Sequence, residues 1–166
     1  MNLKRPIFCL LLICGLLTGF TKSPAQSYRL KTYHNSRYGF SIQYPDSFTA
    51  QRAPENGDGL GWKSKDGLAY LTSYGSNVDP EVTIQSLYAD ALKDIAGKPS
   101  YARLTDSWFV LSWEQEGTIY YQKVFFGEAS YNGFQFSYPA AQKGDYAAMT
   151  DAISKSFHRG DTSHSQ

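Results

Sequence analysis

Tyr38-Gly39-Phe40-Ser41-Ile42-Gln43-Tyr44-Pro45 alternates apolar residues with small or polar ones. A period of two over seven residues predicts a half-buried β-strand, and Pro45 stops it because proline cannot continue a ladder. After the turn Pro45-Asp46-Ser47, Phe48 to Ala53 reads as a weaker strand. Pro54-Glu55-Asn56-Gly57-Asp58-Gly59 consists of turn formers. Leu60 to Lys65 and Leu68 to Tyr74 then flank Asp66-Gly67. That dipeptide suits the two positive-φ positions of a type I′ turn and predicts an antiparallel hairpin.

The alternation then gives way to a helical period. Ile84, Leu87, Tyr88, Ala91, Leu92 and Ile95 make one apolar stripe. Asp79-Pro80 or Thr83 starts this helix, and Gly97 with Pro99 ends it. About 13 residues are marginal alone in water, so the stripe needs a surface to dock on. Further strands follow at Tyr101 to Thr105, Ser107 to Glu114 and Thr118 to Phe126, the last extending to Tyr131 past a bulge at Gly127. Gln115-Glu116-Gly117 is a turn, and Asn132-Gly133 is a second hairpin signal before Phe134 to Tyr138. Tyr146, Met149, Ile153 and Phe157 mark a helix over Asp145 to Phe157.

Strands, helix, strands, helix, with tight turns, predict an α+β single-domain sandwich. Two main helices should cover a central antiparallel sheet. Phe109, Leu111 and Trp113 share one face of their strand, while Trp108 and Val110 share the other. The sheet is therefore either covered on both sides or left open on one for a partner.

The 166 residues make about one domain. Apolar residues are 42% and charged residues 19%, the balance of a packed globule. Aromatics reach 16%, with 13 Tyr, 10 Phe and 3 Trp. Residues 1–25 have the three parts of a secretory signal peptide. Lys4 and Arg5 are followed by the apolar run Ile7 to Leu17, and Ser23-Pro24-Ala25 places small residues at a cleavage site. The apolar run is too short to span a bilayer, so no stable membrane insertion is expected. Cys9 and Cys14 both lie in this segment, and each follows a large residue, which disfavours lipidation. Removing 25 residues from 166 leaves 141 without cysteine, enough to build a core without disulfides. It also leaves 13 Lys and Arg against 15 Asp and Glu, which disfavours nucleic acid as a partner. Residues 26–35 read as a polar linker, 36–158 as the domain and 159–166 as a polar tail.

The stretch Asn35-Ser36-Arg37-Tyr38-Gly39-Phe40-Ser41-Ile42-Gln43-Tyr44-Pro45-Asp46-Ser47-Phe48 resembles the opening of the PsbP-like family. That group includes the extrinsic protein of the plant oxygen-evolving complex and small secreted bacterial proteins. Glu55 to Gly59, with Trp62, Ser64, Asp66 and Gly67, is similar to a loop and hairpin of its bacterial members. The resemblance runs from about Asn35 to Phe157. It implies an antiparallel sheet between helical layers and a role in binding other proteins or assisting assembly, without catalysis. No photosynthetic role is carried over.

The residues themselves contain no Gly-x-Ser-x-Gly, His-Glu-x-x-His or phosphate loop. His34 precedes the domain, and His158 and His164 follow its last helix. His34 and His158 could share a metal only if the two ends of the domain meet, and surface histidines without a role are the simpler reading. A calcium loop at Glu55 to Gly59 lacks its first acid, because Pro54 stands there, and lacks a closing glutamate. No cofactor is expected. The candidate binding residues are Glu55, Asn56, Asp58, Trp62 and Asp66. The expected function is a secreted or periplasmic, non-enzymatic accessory domain engaging another envelope protein. A small-ligand or glycan binder stacking on Trp62, Trp108 or Trp113 is the alternative. A hydrolase using two of Glu55, Asp58 and Asp66 is the remote third, and it needs carboxyl groups about 5–10 Å apart.

Overall fold

The computed structural model describes residues 28–160. Residues 1–25, whose pattern predicts a signal peptide, and most of the predicted polar tail lie outside that span. Nine strands form in chain order: β1 (Leu30–His34), β2 (Ser41–Pro45), β3 (Thr49–Ala50), β4 (Gly59–Lys63), β5 (Tyr70–Asn77), β6 (Tyr101–Leu104), β7 (Trp108–Gln115), β8 (Thr118–Phe126) and β9 (Ser130–Pro139). Helix α1 (Ile84–Lys93) separates β5 from β6, and α2 (Lys143–Ser156) follows β9 after a 3-10 turn at Ala140–Gln142. A seven-stranded sheet has the order β3-β4-β5-β9-β8-β7-β6, antiparallel throughout, and β1 and β2 form a separate hairpin. The α+β sandwich is as the sequence predicts.

Both sheet faces are covered. On one, α2 and the β1–β2 hairpin bury Phe40, Ile42, Trp62, Leu71, Phe134, Phe136, Ile153 and Phe157. On the other, α1 lays Ile84, Leu87, Tyr88, Ala91 and Leu92 against Phe109, Leu111, Trp113 and Val124. Thr83 starts α1 through a capping box. Its hydroxyl accepts from the Ser86 N–H at 3.1 Å, and the Ser86 hydroxyl accepts from the Thr83 N–H at 3.0 Å.

Four local expectations are corrected. Residues 30–34, read as linker, form β1 and pair with β2 from Leu30↔Pro45 to His34↔Ser41. Its inner face carries one ring, Tyr33, set edge-on to Phe40 and Trp62, so no alternation is visible in the sequence. Asn132-Gly133 lies inside β9, and the chain reverses at Gly127 to Ala129 instead, where Gly127 N–H donates to Ser130 at 3.0 Å. Glycine is needed at 133 because the Tyr74 ring lies across it, and a Cβ there would fall 2.5 Å from that ring. The tail reading fails at its first residues, since Gly160 is buried and donates its N–H to Asn132 Oδ1 at 3.1 Å. Finally, Asp66-Gly67 closes the β4–β5 hairpin, but only Gly67 has positive φ (76°), and six residues, 64–69, separate the last paired residues Lys63 and Tyr70.

The type I′ turn is at Glu116-Gly117, with φ 51° and 72°, joining β7 to β8. A glutamate in the left-handed region is strained, whereas asparagine tolerates it. Glu116→Asn is expected to raise stability by about 0.5–1 kcal/mol. A higher denaturant midpoint at unchanged slope checks this, and a lower midpoint contradicts it.

Candidate functional site

The loop from Pro54 to Asp58 is tied down by the turn after β1. The Arg37 guanidinium donates to Asp58 Oδ1 and to the Asn56 carbonyl, each at 2.7 Å. Asn56 Nδ2 donates to the other Asp58 oxygen. Asn35 Nδ2 donates to the Gly57 carbonyl at 2.8 Å and to the Tyr33 hydroxyl at 3.1 Å, while Asn35 Oδ1 accepts from the Tyr38 N–H at 2.7 Å. Asn56 and Asp58 thus spend their polar atoms on holding the loop, and both Asp58 oxygens have protein partners. Glu55 stands in solvent beside Arg52, 3.8 Å away, both side chains above 90% exposed.

Trp62 offers no platform to a ligand. It is fully buried, stacked on Tyr44 at 4.7 Å and met edge-on by Tyr33 at 5.2 Å. Trp113 is buried as well and stacks on Tyr120 at 5.0 Å. Trp108 is half-buried under the Arg103 guanidinium, 5.0 Å from its ring. The glycan mechanism proposed for these three rings is therefore corrected: the core and an arginine already occupy their faces.

Asp66 does not join Glu55 and Asp58. Asp58 precedes β4 and Asp66 follows it, so a five-residue strand of about 16 Å lies between them. That exceeds the spacing a two-carboxylate hydrolase needs. The Ser64 hydroxyl donates to Asp66 Oδ1, and the Leu68 N–H donates to the same oxygen at 3.1 Å. These two bonds, the hydroxyl first, hold the Asp66 carboxyl below its ordinary range.

Asp66 instead forms one bank of an open groove of about 540 Å³. Ser47 and Phe48 come from the β2–β3 turn, Ser64, Lys65 and Asp66 from the β4–β5 hairpin, and Gln142, Asp145, Tyr146 and Met149 from the start of α2. Phe48 and Met149 are core residues that supply an apolar floor. Tyr146 stacks on Tyr138 at 5.1 Å and meets Phe136 edge-on at 5.8 Å. Burial, then the charge of Asp66, raise the Tyr146 pKa. The Gln142 side-chain oxygen is buried without a hydrogen-bond partner among the described residues. At the hairpin tip beside Asp66 stands Leu68, 57% exposed, the most exposed large apolar side chain of the described residues. No histidine or cysteine lines this groove.

Sequence reasoning missed Leu68, Gln142 and Tyr146. In the sequence Tyr146 reads only as part of a helix stripe. Leu68 carried a signal, since an apolar residue directly after Asp-Gly lies at a hairpin tip and has nothing to pack on. A smaller cavity of about 200 Å³ lies under α1, bounded by Tyr74, Phe109, Gln122, Val124 and Tyr131. Burial pushes the Tyr74 hydroxyl up to about 12, and Gln122 Nε2 donates to it at 3.4 Å. Among the described residues no helix is long and apolar enough to cross a membrane.

No family model matches the sequence, and no curated protein does. Solved structures do share its fold. The solution structure of cyanobacterial PsbP (CyanoP) from Synechocystis sp. PCC 6803 superposes with a TM-score of 0.60 at 13% identity, covering 82% of this chain and 95% of that one. A crystal structure from Bacteroides thetaiotaomicron VPI-5482 has a TM-score of 0.49 at 14% identity, covering 81% of this chain and 50% of that one. The chain has the PsbP-like fold.

Proposed function

We infer that this chain of PsbP-like fold is a secreted, non-enzymatic accessory domain that engages another protein of the cell envelope through the groove beside α2. Secretion rests on the signal-peptide pattern of residues 1–25, which lies outside the described residues. The accessory role rests on what the PsbP-like resemblance implies and on the fold shared with cyanobacterial PsbP. The observation that carries the choice of surface is Leu68, exposed at the hairpin tip two residues from Asp66, which lines a groove with an apolar floor and a polar rim. A protruding apolar side chain, a half-buried aromatic and an unfilled hydrogen-bond acceptor are parts from which protein interfaces draw their energy.

A photo-crosslinking residue at position 68 should give one discrete adduct in envelope extracts, and the same residue at Glu81, beside α1, should not. Leu68→Asp and Tyr146→Ala should each weaken capture at least tenfold, a typical cost for an interface anchor. Equal labelling from both positions, or capture unchanged by both substitutions, contradicts the reading. A small-ligand role, if pursued, belongs to the cavity under α1, where Tyr74 and Gln122 set two polar groups in apolar walls.

A further inference from the structure

We propose that His34 and His158 form a binding site for a divalent late-transition-metal ion of the Cu²⁺, Ni²⁺ or Zn²⁺ class. The condition that the two ends of the domain meet is satisfied. His34, the last residue of β1, pairs with Ser41 of β2. Ser41 in turn bridges His158, each residue donating its N–H to the other's carbonyl at 3.0 Å. Directly opposed residues of antiparallel ladders project from the same face. The two histidines therefore flank Ser41 on one face, with Cα atoms about 10 Å apart across two ladder spacings. Serine is short, so no bulky side chain stands between the imidazoles.

The backbone at this place is fixed from below. Phe40, Ile42 and Phe157, the sequence neighbours of Ser41 and His158, point the other way into the core and are at most 2% exposed. On the outer side both histidines are exposed, and an open groove of about 530 Å³ adjoins them. Thr32 and Ser41 bring hydroxyls to its lining, and no carboxylate lines it. Imidazole nitrogen without carboxylate selects late transition metals over calcium or magnesium. Lys155, the lysine of the groove, is held by Asp151 one helical turn away at 2.6 Å, which offsets its charge. Among the described residues no cluster of three or more His, Cys, Asp or Glu gathers, so hydroxyls or water complete the coordination.

The test titrates untagged protein with Cu²⁺. One equivalent should bind, and His34→Ala and His158→Ala should each weaken it at least tenfold, whereas His164→Ala should not. Because the site joins β1 to the segment after α2, the ion should also raise the melting temperature of the unsubstituted protein and of neither histidine variant. Should a variant fold poorly, the unsubstituted protein still decides: sub-stoichiometric Cu²⁺ should broaden the ring signals of His34 and His158 together in an NMR spectrum. Binding that survives either substitution, depends on His164, or broadens only one of the two rings overturns the proposal. The site lies on the outer face of the β1–β2 hairpin, away from the groove at Leu68, so its failure leaves the docking reading untouched.

Discussion

Trp62→Ala is expected to lower the unfolding free energy by about 3–5 kcal/mol, the cost of deleting a large buried ring from a core. The indole is fully buried and is the wedge between the sheet and the β1–β2 hairpin. It rises from β4, stacks on Tyr44 of β2 and takes the edge of Tyr33 from β1. Removing it leaves a void in which two tyrosine rings lose their main partner. Trp62→Phe should cost less, because the indole N–H has no hydrogen-bond partner among the described residues and phenylalanine abolishes that orphan donor. Urea denaturation of the three proteins checks the order. An alanine variant within 1 kcal/mol of the parent would mean that the hairpin is not held to the sheet through this ring.

Asn35→Ala is expected to cost about 2–4 kcal/mol, more than its size suggests. Asn35 is only 3% exposed, and its side chain joins three places in the chain. It accepts from the buried Tyr38 N–H, and it donates to the Tyr33 hydroxyl and to the Gly57 carbonyl. Alanine strands the Tyr38 N–H and releases the loop at Gly57. Two readouts are therefore expected together: a lower denaturation midpoint and faster cleavage at Glu55 by a glutamate-specific protease. Loss of stability without faster cleavage would show that Arg37, through Asp58 and Asn56, holds the loop unaided.

The alternation of the opening motif was legible as burial: Tyr38, Phe40 and Ile42 are all buried, but the strand itself begins only at Ser41, so Tyr38 and Phe40 are buried from the turn that precedes it. Both helices were legible for the same reason, at the other period. β1 was not, because it buries one side chain against a hairpin instead of a whole face against a sheet. Asn132-Gly133 misled because its local turn preference is overridden from afar: the Tyr74 ring fills the space above Gly133, and Asn132 binds the Gly160 N–H. The candidate residues 55, 56 and 58 were visible as a polar loop. What the loop does with its polar atoms depended on Asn35 and Arg37, some 20 positions earlier. Trp62 shows the same limit from the apolar side, since a tryptophan in a strand has the same letters around it whether its ring faces a ligand or the core.

The bridge between Ser41 and His158 links positions 117 apart in the chain. The meander from β6 to β9, by contrast, joins only sequence neighbours through short turns. Loop-closure entropy favours assembling the meander first and the distant bridge last. A ribosome delivers the amino-terminal hairpin earliest, yet that hairpin gains its outer strand partner only when the final residues of the domain have emerged. The earliest of the described elements is thus among the last completed, and until then its tyrosines and Phe40 are open to whatever escorts the nascent chain.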